Sequence, residues 1–163
     1  MKLSETIPVS HIIPELRSNE LDAAFREMVS FLSRIYTAIT QEEAEELVQR
    51  LVEREEMCST ALESGVSIPH IYHKHFNRLV ACLGRSRAGI HRGSEGPLVH
   101  FVVMLVVPKG NVDLHMLALS LVSRTIQKEG FLDQLLECDG SEQIHALLAN
   151  FDLSVPSEVR NGD

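Results

Sequence analysis

Cysteine, positive charge and long apolar runs are all scarce in this chain, and each scarcity excludes something. The three cysteines, Cys58, Cys82 and Cys138, lie far apart with no CxxC pair. An odd, sparse count fits reduced thiols better than a disulfide framework. Lysine and arginine total 15 against 23 acidic residues, a net charge of −8. No basic stripe is present to neutralise a phosphate backbone, so no nucleic-acid partner is expected. An acidic surface instead suits solubility and basic protein partners. The longest apolar run, Leu98 to Pro108, is broken by His100. It has strand length, whereas a membrane helix needs roughly 20 apolar residues. No basic segment leads into an apolar block at the N-terminus, so no signal peptide is seen. The expectation is a cytoplasmic protein with no direct membrane insertion. Internal repeats and low-complexity segments are also lacking.

The 163 residues, 44% of them hydrophobic, suffice for one domain with a real core. That domain is expected over residues 1–153, with a flexible polar tail over residues 154–163 that contains Pro156. Ile12-Ile13-Pro14 is suited to close an edge strand or a loop. Ser18 is placed to cap a helix from Asn19 to Ile35, in which Leu21, Phe25, Val29 and Leu32 recur at helical spacing. Thr40 and Glu43 form a capping box that would satisfy two free amides of a second helix. Ala44, Leu47, Val48 and Leu51 form the buried stripe of that helix. Gly65–Ile68, Arg78–Leu83 and Leu98–Val107 read as strands. Gly84, Gly89 and the Arg92–Pro97 segment read as turns between them. Val102–Val107 is apolar throughout, as in a central strand covered on both faces. Helices then return: one capped by Asn111 or Asp113 and running to about Lys128, one over Phe131–Glu137, and one capped by Ser141 and ending near Asn150. The fold class is α/β: a mixed β-sheet flanked by helices on both faces, in three α/β/α layers.

Three side chains stand out chemically. Pro69 is expected to end the Gly65–Ile68 strand, because proline lacks the amide that a ladder needs. His70 would then sit on the following loop, with an imidazole nitrogen available near neutral pH. His115 lies in the first turn of the helix after Val107-Pro108-Lys109-Gly110. Open α/β sheets place ligands at such carboxyl ends of strands. The helix start biases His115 toward its neutral form and attracts phosphate. Arg54 closes the second helix and offers five fixed donors to an oxyanion. Cys58, Ser59 and Thr60 follow and can donate hydrogen bonds. Taken singly, each group has a plainer reading: a surface-loop histidine, a half-buried histidine, a solvated arginine. Taken together, a nucleophilic imidazole, a neutral imidazole and an arginine fit phosphoryl transfer through a phosphohistidine.

Five sequence blocks carry a family likeness. They are Leu51-Val52-Glu53-Arg54-Glu55, Ser59-Thr60, Gly65-Val66-Ser67-Ile68-Pro69-His70, His115-Met116-Leu117-Ala118-Leu119, and the closing Phe131–Leu136 with Ser141–Ile144. In these blocks the chain resembles the fructose/mannitol-type IIA domains of the bacterial phosphoenolpyruvate:sugar phosphotransferase system, including the nitrogen-regulatory IIA proteins. The resemblance spans about residue 2 to residue 152. It implies that His70 is the phosphorylated histidine, His115 the second active-site histidine and Arg54 the phosphate-orienting arginine, with Ser59 and Thr60 as further phosphate contacts. It implies a phosphotransferase component without cofactor or metal, loaded by the small carrier HPr or its nitrogen-branch homologue. The phosphoryl group would pass to a IIB cysteine in a transport member, or switch binding to regulatory target proteins. No IIB or IIC segment is attached here, which favours the regulatory branch. Cys58, Ser64 and Ile71-Tyr72 depart from the family pattern and bear on partner specificity.

Two rival readings remain. His70, His73 and His75, with His91 and His100, suggest a metal site, although His70 and His73 would face opposite sides of an extended segment. An interaction module of the same fold that is not phosphorylated is the other.

Overall fold

A computed structural model describes residues 1–93 and 96–152. The expected tail over 154–163 lies outside the described residues, as do Ser94 and Glu95 of the expected turn. The sheet has five strands: β1 (Ile12–Ile13), β2 (Val66–Ser67), β3 (His70–His73), β4 (Val80–Ile90) and β5 (Val99–Pro108). The order is β1-β4-β5-β2, with β3 also on β5. β4 and β5 are antiparallel; β1, β2 and β3 run parallel to their partners, so the sheet is mixed.

β5 organises both cores. From Phe101 to Val107 no residue is more than 3% exposed. Phe101, Val103, Leu105 and Val107 enter one core, and Val102, Met104 and Val106 enter the other. This alternation is the period-two pattern of a strand with helices on both faces. On one face lie α2 (Leu21–Ile35) and α3 (Gln41–Met57), through Phe25, Met28, Leu47 and Leu51. On the other lie α1 (Leu3–Thr6), α4 (Val112–Ile126), α5 (Phe131–Glu137) and α6 (Gly140–Phe151), through Leu3, Leu121, Phe131 and Ile144. The three-layer α/β/α arrangement read from the sequence is the one observed.

Several local expectations are corrected. Ser18 does not cap α2, which starts behind Glu20 with no side-chain cap. Ser18 is instead held by the Glu27 carboxylate, to which its hydroxyl and amide both donate. Thr40 does cap α3, accepting from the Glu43 amide at 3.2 Å. The reciprocal half of the box is lost, because the Glu43 carboxylate turns to His75 at 2.9 Å. Gly84 is no turn but lies inside β4, paired with Val102. A β-carbon there would meet Leu16 at 2.8 Å, so glycine admits the Leu16 side chain across the strand. Gly89, at φ +92°, lies in the stretch of β4 where the register against β5 shifts. Ser141 does not cap α6; its hydroxyl reaches the Ile12 carbonyl. Pro69 interrupts rather than ends its strand: the backbone resumes at once as β3, and His70 is its first residue.

Buried polar groups tie the layers together. Arg85 is 2% exposed. Its guanidinium donates to the carbonyls of Pro14 (2.9 Å), Leu135 (2.9 Å) and Cys138 (2.5 Å). It thereby satisfies acceptors that the end of α5 leaves open. His11 is buried and donates from Nδ1 to the Ala81 carbonyl at 3.0 Å. Its Nε2 must then accept from the Tyr36 hydroxyl at 3.1 Å. Burial lowers the pKa of His11, with Arg78 adding to the effect and the Ala81 bond opposing it. Burial likewise lowers that of His73; Glu43 opposes this, and His75, Arg50 and Lys74 reinforce it.

Arg85→Met takes the donor away from all three carbonyls while keeping much of the packing. It is expected to cost about 2–4 kcal/mol in urea unfolding; a cost under about 0.5 kcal/mol would refute the bracing role. The two histidines set a pH dependence. Their folded pKa values lie below the ordinary 6.5, so the unfolded chain takes up protons first as pH falls. Their stabilising contribution is complete above pH 6.5 and is lost as pH drops below it. Tm is expected to fall over that range, and to fall less in His11→Gln.

Candidate functional site

The site begins with β3. The Pro69 carbonyl accepts from the Leu105 amide at 2.8 Å, so the chain stays docked on β5 through the proline. His70 then pairs with Leu105 and Tyr72 with Val107. Two residues apart on a strand, His70 and Tyr72 share one face. His70 Nδ1 lies 2.9 Å from the Ile68 carbonyl oxygen. A carbonyl only accepts, so Nδ1 carries the hydrogen and Nε2 of the neutral ring holds the free lone pair.

His115 comes from α4, which covers the same face of the sheet. Asn111 caps α4 by accepting from the Leu114 amide at 3.1 Å, and His115 follows in the first turn. Its ring centroid is 4.6 Å from that of His70, with the planes at 44°. The Tyr72 hydroxyl is 2.7 Å from His115 Nδ1, and the two rings meet edge-on at 5.3 Å. Nε2 of His115 is buried and has no hydrogen-bond partner. The pKa of His115 is lowered, first by burial, then by His70 and Arg54.

α3 supplies the cationic wall. Arg54 and Arg50, one helical turn apart, line the same cleft of about 450 Å³ as His70, Tyr72 and His115. Arg54 Nη1 donates to the Cys58 carbonyl at 2.9 Å, in the turn that ends its own helix. Arg50 Nη2 donates to the Tyr72 carbonyl at 3.1 Å. Carbonyls alternate along a strand, so with those of Pro69 and His73 bonded toward β5 the Tyr72 carbonyl points outward, where edge strand β3 has no neighbour. Glu53 and the exposed Met57 complete the rim.

Thus the structure brings His70, His115 and Arg54 together. Ser59 and Thr60 are not brought there. Both hydroxyls donate to the Glu55 carboxylate, as does the Thr60 amide at 2.9 Å. They brace the turn after α3 and do not line the cleft. Sequence reasoning missed Arg50 and Tyr72. The signals were present: Arg50 stands four residues before Arg54 on a helix, and Tyr72 two residues after His70 on a strand.

The histidines of the metal reading are dispersed. His73 faces away from His70 and lies with His75 against Glu43. His100 donates to the Ser86 carbonyl at 2.9 Å. Among the described residues no group of three or more His, Cys, Asp or Glu side chains is arranged to hold a metal ion, and no helix is long and apolar enough to cross a membrane. The cleft combines a bare imidazole nitrogen, a second imidazole with an unpartnered nitrogen and two guanidinium groups. This set suits a tetrahedral anion rather than a cation.

Comparison with known proteins bears on the family and the fold. The chain is 26% identical over 153 residues to the fructose-specific EIIABC component of the phosphotransferase system of Bacillus subtilis, covering 93% of this chain but only 24% of that protein's length. It is 23% identical over 150 residues to a nitrogen regulatory protein of Bradyrhizobium diazoefficiens, covering 91% of this chain and 95% of that one. Among solved structures, the nitrogen regulatory protein IIA-Ntr of Neisseria meningitidis superposes with a TM-score of 0.77 at 24% identity, over 90% of this chain and 98% of that one. The family model described as the phosphoenolpyruvate-dependent sugar phosphotransferase system, EIIA 2, matches residues 5–151. That span runs from α1 to α6 and contains the whole cleft; the chain belongs to this EIIA family.

Proposed function

We propose that the chain is a phosphocarrier whose acceptor atom is Nε2 of His70. One observation carries this reading: the Ile68 carbonyl occupies Nδ1, leaving Nε2 as the nucleophile of the neutral ring. In the loading step, Nε2 attacks the phosphorus of a phosphohistidine on the donor. The new N–P bond forms as the donor's N–P bond breaks, and the departing imidazole keeps that electron pair. The three phosphoryl oxygens carry the charge, so catalysis rests on positioning and donors. Arg54 and Arg50, which line the cleft with His70, are the guanidinium donors available to those oxygens, and His115 adds a second imidazole. Onward transfer reverses the sequence toward the next acceptor.

The donor is HPr or its nitrogen-branch homologue, and the setting is the cytoplasm. A protein donor suits the rim of the cleft, where Met57 is 85% exposed, and the start of α4 that carries His115, where Val112 and Met116 are also exposed. Such apolar groups mark a docking face. The regulatory, nitrogen-type role is supported by the Bradyrhizobium similarity. A sugar-specific IIA that hands its phosphoryl group to a IIB cysteine is the second reading, supported by the fructose-specific similarity. Mixing phosphorylated protein with a fructose-type IIB separates them: rapid discharge to a cysteine supports the second reading, and retention supports the first.

Incubation with phosphoenolpyruvate, enzyme I and HPr or its homologue is expected to add one phosphoryl mass. Intact-mass measurement should show that mass lost in acid and absent from His70→Ala. No gain with either carrier would leave an interaction module of this fold. Arg54→Gln is expected to slow loading by about a hundredfold. His115→Ala should slow onward transfer more than loading in rapid-mixing experiments; equal slowing of both would refute a role in release.

A further inference from the structure

We propose that Tyr72 is a positioning residue for the second histidine: its hydroxyl donates to His115 Nδ1 and so keeps the ring's single proton on Nε2, toward the phosphoryl oxygens. This rests on the reading of His70 as the phosphorylated residue. The bond is short, at 2.7 Å, and the edge-on meeting of the rings holds the hydroxyl at the nitrogen. A neutral imidazole has one proton, so the partner of one nitrogen decides the state of the other. If Nδ1 kept the proton, Nε2 would present a bare lone pair to an arriving anion. If Tyr72 donates, Nε2 presents a hydrogen.

Two further observations favour the second state. Nε2 of His115 is buried with no partner. No protein group there competes for a hydrogen on Nε2, so an N–H at this position is free to meet an incoming phosphoryl oxygen, whereas a bare lone pair would repel it. The same pairing occurs elsewhere in the fold with its direction fixed. His11 Nδ1 must donate to the Ala81 carbonyl, so Tyr36 must donate to its Nε2. Tyr72 is itself held in place: its backbone sits in β3 opposite Val107, and Arg50 grips its carbonyl from α3. The strand bearing the nucleophile, the arginine helix and the second histidine are thereby joined through one residue.

The test is Tyr72→Phe, which keeps the ring and its packing. In long-range 1H–15N spectra of unphosphorylated, histidine-labelled protein, His115 is expected to be protonated on Nε2 in the parent chain. In Tyr72→Phe it should become a mixture of both tautomers, while the His11 signals stay unchanged as an internal control. A parent chain protonated on Nδ1, or His115 nitrogens unmoved by the substitution, would overturn the proposal. Loading of His70 from the carrier should fall about five- to tenfold in Tyr72→Phe; an unchanged rate would overturn the role in transfer. The spectra need no phosphorylation. They therefore judge Tyr72 even if His70 proves not to be the acceptor, and a parent chain that fails to load counts against that earlier reading alone.

Discussion

The register of β3 on β5 is the constraint from which the site follows. Because His70 pairs with Leu105 and Tyr72 with Val107, both side chains emerge on the face that α4 covers. α4 begins directly after β5, so His115 arrives beside them without a long connection. A slip of one residue would send His70 to the opposite face, among α2 and α3. Ile71 occupies that face instead and packs into the second core. Pro69 suits this arrangement because it costs no ladder bond where β2 gives way to β3, while its carbonyl still accepts from Leu105.

The edge position of β3 is equally consequential. A central strand would have its outer carbonyls occupied by a neighbour. At this edge the Tyr72 carbonyl is open, and Arg50 reaches it from α3. Arg54, one turn further along, is drawn to the same cleft. The departures from the family pattern take on physical meaning here. Cys58 enters the site only through its carbonyl, which receives Arg54, so the change of side chain leaves that bond in place. Ile71 serves the core. Tyr72 alone among these positions reaches a site group with its side chain.

Local signals in the sequence located much of this. The Thr40 cap, the Asn111 cap, the helical stripes and the Val102–Val107 apolar run of β5 are short-range patterns, and each matches the structure. His70, His115 and Arg54 stood out for the same reason: each lies at an element end that spacing marks. What escaped was decided by distant partners. Gly84 looks like a turn until Leu16 is laid across it. Ser18 looks like a cap until Glu27 claims it. Glu43 loses half of its box to a histidine far along the chain. Ser59 and Thr60 carry the family likeness, yet Glu55 takes their hydroxyls. Arg50 and Tyr72 needed the helix and strand periods to be extended from residues already chosen.

The electrostatics of the cleft suit a cargo that must leave as readily as it arrives. Permanent positive charge in the cleft is confined to the guanidinium groups of α3. His115, its ring 4.6 Å from that of His70, is biased toward neutrality first by burial, then by His70 and Arg54. A charged donor forms a hydrogen bond roughly twice as strong as a neutral one. A protonated His115 would therefore hold the phosphoryl group more tightly at rest, and binding that is equal in the resting and transition states does nothing for transfer. A neutral N–H gives direction without that trap. Holding it in the correct tautomer then becomes the task of whatever occupies the other nitrogen, and in this fold that occupant is a phenol anchored to the same strand as the nucleophile.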